Sequence, residues 1–177
     1  MRRNKLKNII IVGYQGSGKT TLSNQLSRKF NYNVIEFGDY VRNIYLSENR
    51  SMSLLNYVDS IFKQGENLFF VKKINEQITE NENNIFVGPR TIAEIDYLCD
   101  IYEIGLIIGL KCDKSIRLKR RKQQKKFCGL NEFEKRENLE QSWGVAKIFD
   151  CCDLIFNTTV LNKKDICLML EEEISNI

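Results

Sequence analysis

The sequence predicts an α/β fold: a three-layer α/β/α domain with a central parallel five-stranded sheet and a short helical lid. Three observations predict it. Short, wholly apolar runs alternate with longer polar stretches of helical character, the pattern of strands buried on both faces. The first apolar run leads straight into a glycine-rich turn and then a helix. Only one proline, Pro89, and no low-complexity linker interrupt the 177 residues, a length that suits one domain with a core of its own.

The predicted strands are Ile9–Val12, Val34–Phe37, Ile85–Val87, Ile104–Leu110 and Leu154–Phe156. The predicted helices are Lys19–Phe30, Asp39–Glu48, a pair within Ser53–Glu80 broken near Gly65, Ile92–Tyr102, Lys114–Lys125, Asn131–Trp143 and Lys164–Ile174. Right-handed crossovers between parallel strands place the ligand beyond the strands' carboxyl ends. The loops after each strand are therefore where chemistry is expected.

The loop after the first strand reads Gly13-Tyr-Gln-Gly16-Ser17-Gly18-Lys19-Thr20-Thr21. It fits G-x-x-x-x-G-K-[ST] between a strand and a helix, the P-loop context. The glycines let successive backbone N–H groups form an anion nest, and the helix start adds its positive end. A nucleoside triphosphate is the expected ligand, ATP or GTP. Gly13, Gly16, Ser17, Gly18, Lys19, Thr20 and Thr21 form its cradle, Lys19 bridges the outer phosphates and Thr20 ligates Mg²⁺.

Composition excludes several other classes. There is no histidine, so Ser-His and Cys-His nucleophile pairs are absent. The six cysteines form no C-x-x-C pair and are expected as free thiols. No apolar run reaches the length of a membrane span, and the basic MRRNKLKN start lacks the core of a signal peptide, so the expected location is cytoplasmic. The net charge is +4, concentrated in Lys111–Lys126, where nine of sixteen residues are Lys or Arg. Such a face attracts phosphates.

After the second strand the chain reads EFGDYVRN, and after the third FVGPRTIAEIDYL. Both segments resemble the adenylate-kinase-type nucleoside monophosphate kinases, which carry G-D-x-x-R and D-G-x-P-R-T at these places, and dephospho-CoA kinase-like proteins. The resemblance covers nearly the whole chain. It implies that Arg42 and Arg90 grip the phosphate of an acceptor, as two guanidinium forks can do bidentately. Val87 stands where the family has an aspartate, so the resemblance passes the magnesium role to Asp39, beside Thr20. It assigns Arg117 and Arg121, four apart on one helix face, to the donor phosphates, with Arg136 as a further contact. It implies a lid at about 122–136, an acceptor-side helical insert at about 39–82, and Asn157 near the adenine. Trp143, Val145, Ile148 and Phe149 read as core, and Cys151 and Cys152 as buried or half-buried thiols.

The expected activity is ATP-dependent phosphoryl transfer to a small phosphorylated substrate, a nucleoside or deoxynucleoside monophosphate first. A dephospho-CoA-like or other alcohol-bearing acceptor is the alternative, with Asp39 as its base. A nucleotide-gated nucleic-acid-binding protein is a second alternative, disfavoured because Phe127 is the one aromatic beside the basic run. The expected assembly is a monomer or homodimer.

Overall fold

The structure is a computed structural model that describes residues 7–48, 51–78, 83–124, 127 and 129–175. Five parallel strands form one sheet in the order β2-β3-β1-β4-β5. They are β1 (Asn8–Val12), β2 (Asn33–Glu36), β3 (Asn84–Val87), β4 (Ile104–Lys111) and β5 (Leu154–Asn157). The first strand in the sequence thus sits at the centre, flanked by β3 and β4.

Alternation along β1 explains the two outer layers. Ile9 and Ile11 face one side, where they meet Leu22 and Leu26 of α1 (Lys19–Phe30) and Ile166, Leu170 and Ile174 of α9 (Lys163–Ser175). Ile10 and Val12 face the other side. There they meet Ile74 of α4 (Phe69–Asn75), Ile95 and Leu98 of α5 (Ile92–Ile101), and Val145 and Ile148 of α8 (Val145–Ile148). The four apolar side chains of β1, Ile9, Ile10, Ile11 and Val12, are completely buried, which their unbroken run requires.

A third cluster lies beside the sheet. It joins Ile44 of α2 (Phe37–Ser47), Tyr57, Val58 and Phe62 of α3 (Leu54–Lys63) and Phe70 of α4. Gly65, at φ +82°, supplies the left-handed residue that separates α3 from α4. Trp143 packs edge-on against Phe62 at 5.3 Å and donates its indole N–H to Asp59 at 3.1 Å. It belongs to the core, as its neighbours in sequence suggest.

The elements follow the expected alternation, with shifts at their ends. The second strand stops at Glu36, and α2 begins at Phe37, two residues before its expected start. Phe37 is buried against the second cluster, and turning into the helix there is what buries it. Asp39 therefore lies in the first helical turn, where a carboxylate is favoured by the helix dipole, and is not the N-cap. Helix α6 spans Lys114–Lys122. Of the expected lid, residues 125, 126 and 128 lie outside the described residues. Helix α7 (Leu130–Ser142) is anchored by buried Phe133, Glu137 and Glu140, so most of the lid's second half belongs to the body.

Helix α5 starts with a complete capping box. The Thr91 hydroxyl accepts from the Glu94 backbone N–H at 3.2 Å, and the Glu94 carboxylate accepts from the N–H groups of Thr91 at 3.1 Å and Arg90 at 2.6 Å. Burial pushes the Glu94 carboxyl up to about 7, against the pull of those backbone bonds. Its folded pKa is thus above its ordinary value, so the Glu94 contribution to stability is full below about 4.5 and is lost as pH rises through 7. Glu94→Gln keeps one accepting oxygen and removes the titration. Urea denaturation at pH 5 and pH 8 is expected to show the variant gaining on the native protein at the higher pH, by up to about 3 kcal/mol.

No helix among the described residues is long and apolar enough to cross a membrane. Cys99, Cys112, Cys151, Cys152 and Cys167 are free thiols, with Cys151 and Cys152 half-buried as expected.

Candidate active site

The P-loop leaves β1 at Gly13 and enters α1 at Lys19, at the carboxyl edge of the central strand. Gly13 is at φ +142°, and a Cβ there would meet the Leu110 carbonyl at 2.5 Å. Gly16 is at φ +76°, and a Cβ there would meet the Arg117 carbonyl at 2.9 Å. Both positions combine a left-handed backbone with close approach of a neighbouring chain, so only glycine fits. Gly18, also left-handed, caps α1 and is open on its outer side.

Lys19 is buried and folds back over the loop, donating to the carbonyls of Gly13 at 2.7 Å and Tyr14 at 3.0 Å. Burial lowers its pKa to about 7, helped by the Arg90 charge and opposed by Glu140 and Glu36. Arg90 comes from the turn after β3. Its Nη1 lies 3.3 Å from the Gly13 carbonyl and 3.0 Å from Glu140. Lys19 and Arg90 thus meet over the same end of the loop.

The Thr20 hydroxyl donates to Glu36 at 2.9 Å. Glu36 ends β2, and its register partner on β3 is Val87. Glu36 thus places a carboxylate at the level of Val87, on the strand beside it. Gly88 lies between these groups. A Cβ placed on it would stand 3.5 Å from Lys19 Cε and 3.9 Å from both Arg90 Nη2 and Glu36 Oε1. The bare glycine leaves a small space bounded by an ammonium, a guanidinium and a carboxylate.

Helix α7 contributes two buried acids. Glu140 is completely buried, and one of its oxygens pairs with Arg90 at 3.0 Å and accepts from Arg136 Nε at 2.9 Å. Its other oxygen accepts the Gln15 backbone N–H of the P-loop at 3.3 Å. Burial opposes its ionisation, but the charges of Arg90, Arg136 and Lys19 outweigh that and hold it below the ordinary carboxylate range. Glu137 binds Arg117 through two parallel bonds of 2.6 Å. Arg117 also donates to the carbonyls of Cys112 and Gln15, and its guanidinium covers the Tyr14 ring at 5.0 Å.

The remaining expected residues are placed as follows. Arg42 and Asp39 pair with each other at 2.8 Å on an exposed part of α2, one turn apart. Arg121 packs its stem near Gly16 and donates to Gln124 at 2.5 Å. With Gln15, Phe127 and Arg136 it lines a cleft between α6 and α7. Thr21 is exposed on α1, and Asn157 ends β5 with its side chain accepting from the Thr159 N–H at 3.0 Å. Ser17 Oγ is buried and has no hydrogen-bond partner among the described residues.

Arg120 ties three loops together, reaching Cys112 Sγ after β4 at 3.4 Å as well as the P-loop and the loop after β5. It donates to the Thr158 carbonyl at 2.6 Å and hydroxyl at 3.1 Å, and reaches the Gly16 carbonyl at 3.4 Å. Thr158 in turn donates to the Ser17 carbonyl at 2.9 Å. The loop after β5 is thereby fastened to the P-loop.

The donor set fits a magnesium nucleotide. The turned loop amides and the Lys19 ammonium suit phosphate oxygens, and the Ser17 hydroxyl, without a hydrogen-bond partner among the described residues, lies buried beside Gly13. Thr20 and Glu36 offer the hard oxygens that Mg²⁺ takes, one neutral and one charged. Among the described residues no three His, Cys, Asp or Glu side chains gather to form an all-protein metal site.

Residues 9–141, more than half of the chain, match the family described as AAA domain (AAA_18). The chain is 25% identical over 171 residues to the UPF0200/UPF0201 protein of Archaeoglobus fulgidus, covering 88% of this chain and 51% of that protein. It is 26% identical over 114 residues to a shikimate kinase of Alkaliphilus oremlandii, covering 62% of each. The chain thus spans about half the length of the first relative and under two thirds of the second. The solved shikimate kinase of Acinetobacter baumannii in complex with shikimate superposes with a TM-score of 0.60 over 97% of this chain and 94% of that one, at 17% identity. That likeness shows a shared kinase-type P-loop fold. The family match makes the chain a member of the AAA domain family.

Proposed function

We propose, from the premise of that membership, that this chain transfers the terminal phosphoryl group of ATP to an anionic small molecule. A nucleoside or deoxynucleoside monophosphate is the first acceptor class. The observation that carries the reading is the meeting of Arg90 and Arg136 on one Glu140 oxygen beside Lys19. Two guanidinium groups converging on a single oxygen form a built anion seat facing the P-loop. Each spends few of its donors there: among the described residues Arg90 Nη2 and both Arg136 Nη atoms make no hydrogen bond.

The roles follow from charge. Lys19 and the loop amides hold the donor phosphates, with Arg121 near them. Thr20 and Glu36 hold Mg²⁺, which supplies charge neutralisation when bound. Arg90 and Arg136 hold the acceptor. Arg42 and Asp39 join the site if the acceptor exchanges for their mutual pair. An acceptor phosphate oxygen attacks the terminal phosphorus, the bond to the bridging oxygen breaks, and ADP leaves. No base is required, because the attacking oxygen is already anionic. Rate enhancement comes from alignment and from cations fixed where charge spreads.

A second reading is favoured by Glu36. Its carboxylate borders the Gly88 space opposite Lys19, where it can take a proton from an attacking hydroxyl. The acceptor is then an anionic alcohol, the class to which the substrate of the shikimate kinase relatives belongs. Mg-ATP incubated with nucleoside monophosphates, dephospho-CoA and shikimate in turn, with ADP release measured, separates the two. Monophosphate-dependent release supports the first reading and alcohol-dependent release the second. ADP release unaffected by every acceptor removes both. Glu36→Gln is expected to lower turnover about 10²-fold and to raise the magnesium concentration needed for half-maximal rate.

A further inference from the structure

Glu140 is a buried charge that the transfer itself does not use. It sits on α7 seven residues after Phe133 and three after Glu137, on the face they share, at a position whose spacing suits an apolar side chain. It is completely buried, and it touches both halves of the site: Arg90 and Arg136 through one oxygen, the Gln15 amide of the P-loop through the other. A charge buried this deeply persists only when it is paired, and here its partners are the cations that an incoming phosphate needs.

We propose that Glu140 is an internal counter-anion and a specificity-determining residue of this site, occupying the arginine pair in the ligand-free protein and lowering its affinity for free phosphate. The proposal rests on the reading of Arg90 and Arg136 as the acceptor seat. Its physical basis is like-charge repulsion within a few ångströms, in surroundings that screen poorly. Three cations, Lys19, Arg90 and Arg136, would otherwise face the loop together and hold any small anion. With Glu140 among them, a lone phosphate gains little. A phosphate attached to a larger acceptor is bound elsewhere as well, and that added binding lets it share or displace the internal carboxylate.

The test is calorimetric titration of inorganic phosphate into the full chain, without nucleotide and again with saturating Mg-ADP. Four variants are compared with the native protein: Glu140→Gln, Arg136→Gln, Arg90→Gln and the charge-balanced Glu140→Gln/Arg136→Gln pair. Thermal denaturation confirms folding of each. Glu140→Gln is expected to bind phosphate at least tenfold more tightly than the native protein, and Arg90→Gln to bind it more weakly. If Glu140→Gln does not fold, the balanced pair is expected to bind at least tenfold more tightly than Arg136→Gln alone. Equal or weaker phosphate binding on loss of Glu140, in folded protein, overturns the proposal. Failure of Mg-ADP to bind would instead overturn the kinase reading, and the nucleotide-free titrations still measure what Glu140 does.

Discussion

Lys19→Met is expected to lower phosphoryl transfer by about 10²- to 10³-fold or more while leaving the protein folded and more stable at neutral pH. In the proposed reaction turnover falls because the ammonium, within 3.0 Å of the Gly13 and Tyr14 carbonyls, is the cation that would face the donor phosphates. Stability rises because burial lowers the Lys19 pKa to about 7. The folded state thus disfavours the protonated form relative to the unfolded chain, and that penalty is full below about 7. As pH climbs from 7 towards 10.5 the unfolded chain binds the extra proton, and the native protein's stability increases. Methionine fills the same space without a charge. Denaturation curves at pH 7 and pH 9.5 should show a pH-dependent gain in the native protein that the variant lacks. Activity and stability then move in opposite directions, the pattern of a group placed for chemistry at a cost to folding.

Glu137→Ala is expected to be the most destabilising single change, by about 3–5 kcal/mol. It leaves the Arg117 guanidinium buried beneath α7, with its two shortest bonds gone. For a chain of this size the thermal midpoint should drop by about 10 °C. Removing both charges together with Arg117→Met and Glu137→Leu should restore most of the stability, since apolar replacements of a buried pair are often neutral or better. The contrast between single and double variants identifies the unpaired charge, not lost packing, as the cause. Turnover of the folded double variant then shows whether Arg117, assigned by resemblance to the donor phosphates, acts there in addition to holding α6 on α7.

What was legible in the sequence was local. Strand β1, the P-loop and the start of α1 are contiguous, so their chemistry stands in one short reading. Arg90 follows β3 within a recognisable turn, and the structure does bring it to the Gly13 carbonyl. Glu36 was harder to see. It is an ordinary strand-end acid until β2 is placed beside β3 and its register aligned with Val87. That pairing joins residues about fifty apart in the chain. Asp39, three residues on, takes the metal role in the sequence through the resemblance, because Val87 stands where the family has an aspartate, and α2 places it in an exposed pair with Arg42.

The acids of α7 left a signal that spacing could have shown. Phe133, Glu137 and Glu140 follow the four-and-three rhythm of a buried helix face, and two of the three are glutamates. Acids at such positions require cations from elsewhere, and Arg117, Arg90 and Arg136 supply them. The signal was masked by the other charges of NEFEKRENLEQSWG, which make the whole helix read as solvated. On α6 the same ambiguity hid Arg120, whose contacts to Thr158 depend on the loop after β5.

The most direct measurement is a crystal structure of the full chain with Mg²⁺, a non-hydrolysable ATP analogue and the acceptor that the ADP-release assay selects. The terminal phosphate is expected over Lys19, Mg²⁺ beside Thr20 and Glu36, and the acceptor's anionic group against Arg90 and Arg136. A triphosphate seated in the loop with the acceptor distant from both arginines, or with either arginine turned to solvent, would contradict that placement.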